Sequence, residues 1–186
     1  MSDTAAHGRV RVRALVEADA EAFAVLAGER AIADTMVSIP HPLSQHGARE
    51  WIRQHSGADG RCAAFAVCAG ASDELRGFVG IVEILSEHRL GEVSFWIGRP
   101  YWGQGLAQAA GRLALEYAFT RLGLNRLQAF HMVRNPASGR VLEQLGFSRE
   151  GVLAERVYKW DRFEDVAIYG LLRARWLEVA PHPSQV

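Results

Sequence analysis

The chain has 186 residues, enough for one domain with a buried core, and 49% of them are hydrophobic and 23% charged, as in an ordinary globular protein. Lys plus Arg and Asp plus Glu number 21 each, so the formal net charge is zero. No overall positive field is present to attract nucleic acid or an anionic membrane, and any anion site has to be local.

Three sequence features indicate a cytoplasmic protein that does not bind a membrane. Charged residues or glycine interrupt each apolar stretch before the length of about 18 residues that a membrane helix needs. The first residues, "MSDTAAHGRVRVR", have no apolar signal-peptide core. Cys62 and Cys68 lie in one predicted strand at a separation too large for a disulfide, so we expect reduced thiols.

The first half of the chain alternates predicted strands and helices. Residues 9–15 alternate charged and apolar side chains and predict a strand, and a helix with a small apolar face follows until Gly28. Ser44 is expected to begin a helix that runs to about Gly57. Three strands are then predicted at 62–69, 76–85 and 91–98, and their short polar connections favour antiparallel hairpins.

The second half predicts a long helix from about Gly105 to Leu122, a fifth strand in "RLQAFHMV", and a helix that starts at Asn135 and Pro136 and stops at Gly146. Two more strands are predicted in "FSREGVLAERVYKW" and "EDVAIYGLLRARW". The prediction is one α+β domain over residues 9–176 with a mostly antiparallel sheet, and flexible tails at 1–8 and 177–186.

The junction "GRPYWGQGLA" leads from the fourth predicted strand into the long helix. Helices usually begin at Ser, Thr, Asp or Asn, whereas Gly103 and Gly105 stand at this entry. Glycines without Cβ atoms permit left-handed backbone dihedrals and let a phosphate approach the free amides at the positive end of a helix. A simple strand-to-helix turn would have the same glycines. The Walker and Rossmann nucleotide-binding fingerprints are both incomplete here.

Four motifs follow one another along the chain: "RVRALVEADAEAF", "YWGQGLAQAA", "NPASGRVLEQLGFSREGVL" and "RFEDVAIYGLL". In this order they resemble the GNAT N-acetyltransferase superfamily, and its RimJ/RimL-like (ribosomal-protein N-acetyltransferase-like) branch in particular. Trp102 replaces the Gln or Arg that opens the general GNAT loop motif, a departure typical of this branch. The resemblance implies the GNAT fold, with about seven strands, splayed fourth and fifth strands and about four flanking helices.

The same resemblance implies acetyl-CoA as cosubstrate and assigns residues to it. The pantetheine arm would lie between the splayed strands, and backbone amides of the glycine loop would hold the diphosphate, so no metal would be needed. Asn135 and Ser138 would face the arm, although Asn135 is equally well explained as a helix cap. The implied cofactor-binding residues are Phe95, Trp96, Ile97, Trp102, Gly103, Gln104, Gly105, Leu106, Ala107, Asn135 and Ser138.

The implied reaction is direct attack of a neutral primary amine on the thioester in a ternary complex. Glu92 is the first choice as base, and Glu83 and His131 are second choices. Ser138 is the favoured acid for the departing thiolate, with Tyr158 as its rival. Val157 replaces a carboxylate that RimL-type enzymes can carry beside the aromatic matching Tyr158, which weakens an assignment to ribosomal proteins.

Acceptor and assembly stay open at this level. A protein N-terminal α-amine and a small-molecule amine both fit, and a homodimer fits the resemblance. Met36, Ile39 and His41 are expected wall residues of the acceptor site, and the scattered histidines lack zinc-ligand spacing. Two other functions are compatible with the sequence. One is a non-catalytic acyl-CoA sensor, and the other is a scaffold in which the glycine loop is only a turn.

Overall fold

The computed structural model describes residues 5–7, 10–55, 57 and 60–179. These residues form one sheet of eight strands, with six helices packed around it. The strands are β1 (Ala5–His7), β2 (Val10–Ala14), β3 (Ala63–Ala69), β4 (Gly77–Leu85), β5 (Leu90–Ile97), β6 (Arg126–Met132), β7 (Ser148–Lys159) and β8 (Arg162–Leu172). The helices are α1 (Ala20–Ala27), α2 (Arg30–Ala33), α3 (Gln45–Gln54), α4 (Leu106–Glu116), α5 (Pro136–Gln144) and α6 (Arg173–Val179).

The strands form one sheet in the order β1-β2-β3-β4-β5-β6-β8-β7. All neighbouring pairs are antiparallel except β5 and β6, which run parallel. This arrangement confirms the predicted α+β class with a mostly antiparallel sheet. The seven longer strands match those predicted, and the three-residue β1 adds an eighth at the edge.

The parallel pair β5 and β6 separates after a short contact. Three residue pairs join them, Leu90 with Arg126, Gly91 with Leu127 and Glu92 with Gln128. Beyond Glu92, β5 continues to Ile97 and β6 to Met132 as the two strands diverge. This confirms the predicted splay of the fourth and fifth predicted strands, and it leaves a gap in the middle of the sheet.

Helices cover both faces of the sheet. On one face α1 and α3 bury an aromatic cluster, in which Phe23 lies 4.9 Å from Trp51 and 5.1 Å from Trp96 between ring centroids. On the other face α4 and α5 pack against the sheet, with Leu106 and Leu142 in the core. The splayed strand β5 therefore has an apolar layer on both sides, with Trp96 in the first and Val93 in the second.

The end of the chain differs from the sequence prediction. The last strand was predicted to reach Trp176, whereas β8 ends at Leu172 and α6 follows. The Arg173 amide donates to the Asn125 carbonyl, and Trp176 packs at 5.1 Å on Phe119, so tertiary contacts favour a helix here. Residues 177–179 of the predicted tail belong to α6, and the rest of that tail lies outside the described residues.

Helix α4 is also shorter than predicted, because a π-helical turn, Tyr117–Arg121, replaces its last part. Cys62 and Cys68 are both buried and are not joined in a disulfide, as expected. Within the described ranges, no helix is long and apolar enough to cross a membrane.

Candidate active site

The glycine loop has the backbone geometry that its sequence predicts. Gly103 has φ of +74° and Gly105 has φ of +72°, both in the left-handed region that favours glycine. Gly105 is the N-cap of α4, and no side chain caps this helix. The first amides of a helix have no intrahelical partner, so those of α4 are available to an external acceptor. A Cβ atom on either glycine would project into open space.

Trp102 fixes the loop to the end of β5. Its indole Nε1 donates a hydrogen bond of 2.6 Å to the Ile97 carbonyl, although about half of the side chain, 52%, is exposed. The Trp at the first position of the loop motif therefore has a structural explanation. It closes the turn that redirects the chain from the splayed strand into α4.

A cleft of about 710 Å³ lies between the splayed strands, the glycine loop, the first turn of α5 and the segment after α2. It is the size of a small-molecule site. The structure brings the following predicted residues together in its lining: Glu92, Phe95, Trp96, Ile97, Trp102, Gly103, Gln104, Gly105, Leu106, Ala107, Asn135 and Ser138.

Two of these residues behave differently from the sequence prediction. The Trp96 side chain is only 4% exposed and packs edge-on against Phe23, so it mainly forms part of the core. Asn135 precedes α5, but its side chain does not cap the helix. The cap interpretation is therefore wrong. The Asn135 amide Nδ2 instead donates a hydrogen bond of 2.9 Å to Ser138 Oγ.

The contact between Asn135 and Ser138 matters for proton transfer. A hydroxyl has one donor hydrogen and two acceptor lone pairs. Because Ser138 Oγ accepts from Asn135, its own hydrogen stays available for another acceptor. The half-buried Ser138 faces the cleft at the positive end of α5, so the position suits the donation of a proton to an anion.

Glu92 is the titratable group in the cleft whose ionisation is most altered. Its pKa is raised to about 7, mainly by burial and next by the neighbouring Glu83 carboxylate, its partner in the β4–β5 ladder. Gln128 Nε2 donates a hydrogen bond of 3.3 Å to Glu92 Oε2, and this hydrogen bond lowers the pKa of Glu92. A carboxylate with a pKa of about 7 is well matched to general base work at neutral pH.

Comparisons with known proteins agree with this arrangement of loop, cleft and sheet. The family model described as Acetyltransferase (GNAT) domain matches residues 9–148. The chain belongs to the GNAT acetyltransferase family.

Three similar proteins illustrate the range of this GNAT family. YdaF of Bacillus subtilis, named as a candidate ribosomal N-acetyltransferase, is 28% identical over 174 residues, 90% of this chain and 93% of YdaF. The N-acetyltransferase p20 of Bacillus licheniformis is 31% identical over 63% of this chain, and the match spans 66% of p20. Spermidine N-acetyltransferase from Vibrio cholerae, solved with CoA and spermine, has a TM-score of 0.82 and 28% identity, covering 92% of this chain and 99% of that one.

The two second-choice bases lie in the cleft, whereas the rival acid does not. Glu83 and His131 both line the cleft. His131 is 9% exposed, and its Nδ1 donates to the Met132 carbonyl at 2.8 Å, which leaves Nε2 as an acceptor that has no partner among the described residues. Tyr158 is not among the lining residues, and its ring, 62% exposed, packs at 5.0 Å from Phe163. The structure thus separates Tyr158 from the cleft.

The prediction that Met36, Ile39 and His41 line the acceptor site is only partly correct. Met36 lines the cleft, whereas Ile39 is buried in the core and His41 Nδ1 donates to the Gly28 carbonyl at 2.7 Å. Sequence reasoning missed three further lining residues, which lie beside Met36 on an irregular segment without periodicity: Thr35, Val37 and Ser38. Among the described residues, no group of three or more His, Cys, Asp or Glu side chains is arranged to hold a metal ion.

Gly139→Ala is expected to lower the free energy of unfolding by about 1 to 3 kcal/mol, because the new methyl overpacks the space between α5 and β6. Its Cβ would lie 2.7 Å from His131 Nε2 and 3.0 Å from Tyr169 Oη. Gly151→Ala is the matched control, since its Cβ meets nothing within 4 Å. Urea unfolding measures both variants. Equal stabilities of the two would contradict this packing of α5.

Proposed function

We propose that this GNAT domain is an acetyl-CoA-dependent N-acetyltransferase of the RimJ/RimL-like branch that acts on a primary amine. The observation that carries the proposal is one cleft that joins an uncapped, glycine-lined helix end to a carboxylate with a pKa of about 7. The first feature suits the diphosphate of CoA, and the second suits removal of a proton from an amine. The likeness to YdaF supports the choice of branch.

Acetyl-CoA would lie along the splay between β5 and β6. The loop from Trp102 to Ala107 would bind the diphosphate through its backbone amides and the positive end of α4. The pantetheine arm carries amides of its own, and the part of β5 beyond its pairing with β6, Phe95–Ile97, would pair with them. The thioester would then lie between Glu92 on one side and Ser138 on the other.

In the proposed reaction Glu92 takes a proton from the bound ammonium, directly or through water, and so generates the neutral amine. The nitrogen lone pair attacks the thioester carbonyl, an N–C bond forms, and the C–S bond breaks. The sulfur leaves as a thiolate and accepts the free hydroxyl hydrogen of Ser138, which Asn135 orients. The attacking nitrogen loses its extra proton as the amide forms, and this proton passes through water to Ser138 and restores its hydroxyl. Glu92 then releases its own proton to solvent. Holding both reactants in one cleft supplies much of the acceleration.

The charge of the cleft favours a cationic acceptor. Glu83 and Glu92 both line it, and none of its described lining residues is Lys or Arg. Although the whole chain is neutral, this local pair of carboxylates favours an amine with a second positive charge over an acidic peptide. The Vibrio cholerae relative, solved with CoA and spermine, supports this preference.

Glu83→Gln is expected to lower the preference for a diamine over a monoamine of equal chain length by about 5- to 10-fold in kcat/KM, the effect of about 1 kcal/mol of lost charge attraction. Steady-state assays with both amines on both proteins measure it. Glu87→Gln is the control, because Glu87 is an exposed carboxylate outside the lining. A diamine preference that survives Glu83→Gln unchanged would rule out Glu83 as the charge partner.

The alternative function, a non-catalytic acyl-CoA sensor, would use the same loop. A sensor would bind CoA tightly and release no thiol with any amine, so binding and turnover together separate the two functions. We also propose a cytoplasmic location, which the two buried cysteines without a disulfide support. A homodimer stays a prediction.

A further inference from the structure

Residues 34–39, here named the acceptor wall, form an irregular segment between α2 and α3. Its members Thr35, Met36, Val37 and Ser38 line the cleft. The segment has neither helix nor strand pairing over Val37–Ile39 to fix its position. Its carbonyls therefore need partners from elsewhere in the fold.

Lys159, at the end of β7, supplies two of these partners. Its side chain is 8% exposed, and Nζ donates hydrogen bonds to the Met36 carbonyl and, at 3.0 Å, to the Ile39 carbonyl. The ammonium also lies 4.9 Å from the ring centroid of Trp160. Burial lowers the pKa of Lys159, because removal of the ammonium from water is unfavourable. The hydrogen bonds to the acceptor wall offset part of this cost.

Arg134 holds the other end of the acceptor wall. Its Nη1 donates to Asp34 Oδ2 at 2.5 Å and its Nη2 to the Asp34 carbonyl at 2.7 Å. Its Nε donates to Glu164 Oε1 at 2.8 Å, which fixes the guanidinium on β8. The Trp160 indole adds a hydrogen bond of 2.7 Å to Asp34 Oδ1. A planar guanidinium with three such contacts has little freedom, so Asp34 is held firmly.

The two cations connect the acceptor wall to the remainder of the active site. Lys159 and Trp160 lie at the β7–β8 turn, and Arg134 immediately precedes Asn135, which binds Ser138. Neither Lys159 nor Arg134 lines the cleft. The glycine loop is attached separately, through the hydrogen bond of Trp102 to the Ile97 carbonyl. Displacement of the wall would therefore alter the part of the cleft that residues 35–38 line and leave the attachment of the glycine loop in place.

We propose that Lys159 and Arg134 are positioning residues that hold the acceptor wall in place and so determine how tightly the amine binds, without touching it. This inference rests on the proposed function, because it assumes that the amine occupies the side of the cleft formed by residues 34–39. It predicts a selective defect, in which the acceptor is affected and acetyl-CoA is not.

Lys159→Met is the decisive variant, since methionine fills similar space and donates no hydrogen bond. We expect the KM for the amine to rise about tenfold, with kcat and the KM for acetyl-CoA changed less than about twofold. Hydrogen exchange of the amides in residues 34–39 is expected to become faster. Arg13→Met is the matched control, because it also replaces a partly buried cation by methionine and breaks its 2.7 Å ion pair with Asp19, away from the cleft.

Each result has a definite meaning. A normal amine KM together with unchanged exchange in residues 34–39 would overturn the inference, as would equal defects for amine and acetyl-CoA. If no amine is acetylated by the wild-type protein, the proposed function fails, while the exchange measurement still tests whether Lys159 holds the wall. If Lys159→Met does not fold, Asp34→Asn provides the same test, because it weakens the contact with Arg134 from the wall itself.

Discussion

Glu92→Gln is expected to lower kcat/KM by about 100- to 10,000-fold while the Kd for CoA stays within about twofold of the wild-type value. The amide has nearly the shape of the carboxylate but cannot accept a proton from the amine. Glu92 is the last residue of β5 that pairs with β6, and it precedes the segment proposed to bind the pantetheine arm. We therefore expect its neutralisation to leave CoA binding intact. Steady-state kinetics and calorimetry measure the two quantities.

The pH profile identifies Glu92 more specifically. In the wild-type protein kcat is expected to rise with pH through an apparent pKa of about 7, because only the ionised carboxylate accepts a proton. Glu92→Gln should lack this limb. Glu83→Gln should move the limb to lower pH, since the Glu83 charge contributes to the raised pKa of Glu92. A limb that is the same in all three proteins would exclude Glu92 as the base.

Stability provides an internal control for the same variant. Glu92 ionises near 4.5 when unfolded and near 7 when folded, so between these values the folded state binds more protons and stability falls as pH rises. Glu92→Gln removes this penalty and is expected to stabilise the protein at pH 8, by about 1 to 3 kcal/mol, and to change little at pH 4. Loss of activity with raised stability would show that misfolding is not the cause.

The second large effect concerns the glycine loop. The double variant Gly103→Ala with Gly105→Ala is expected to raise the Kd for CoA about 100-fold, because two methyl groups keep the diphosphate from the amides at the start of α4. The loss of about 3 kcal/mol corresponds to one or two hydrogen bonds to a charged group. Isothermal titration calorimetry with CoA measures it.

The chain contains a matched control for the backbone strain of this double variant. Gly70 and Gly123 have φ of +64° and +63°, also meet nothing within 4 Å at a Cβ, and do not line the cleft. Gly70→Ala with Gly123→Ala should therefore lose about as much stability, about 2 to 4 kcal/mol for two left-handed residues, and bind CoA normally. Equal CoA affinities in the two double variants would exclude the loop as the phosphate site.

Local patterns were enough to predict much of the fold. The period-two strands and the glycine stops at Gly28 and Gly146 are properties of short segments, and the structure confirms them. The left-handed Gly103 and Gly105 are likewise confirmed, because few residues other than glycine adopt that backbone conformation. The end of β8 was not predictable in this way. The contacts that accompany the helix after β8 are long-range: the Arg173 amide donates to the Asn125 carbonyl, and Trp176 packs on Phe119.

In the candidate site too, features of short segments were predictable from the sequence and contacts between distant residues were not. The glycine loop and the Glu92 strand are continuous in sequence and were predicted, although their roles remain proposals. The contacts of Lys159 with residues 36 and 39, and of Arg134 with Asp34, join positions 100 or more residues apart, so no local pattern contains them. Asn135 carries a standard cap signal, yet its amide binds Ser138, because the two groups meet across the first turn of α5.

The most direct measurement is thiol release from acetyl-CoA across a panel of diamines, polyamines, monoamines, amino acids and N-terminal peptides, with each product checked by mass spectrometry. A protein-only blank controls for the thiols of Cys62 and Cys68. We expect amine-dependent release with a matching acetylated product, fastest for amines with a second positive charge. CoA binding without release for any amine would contradict catalysis, and absence of CoA binding would contradict the assignment of the glycine loop.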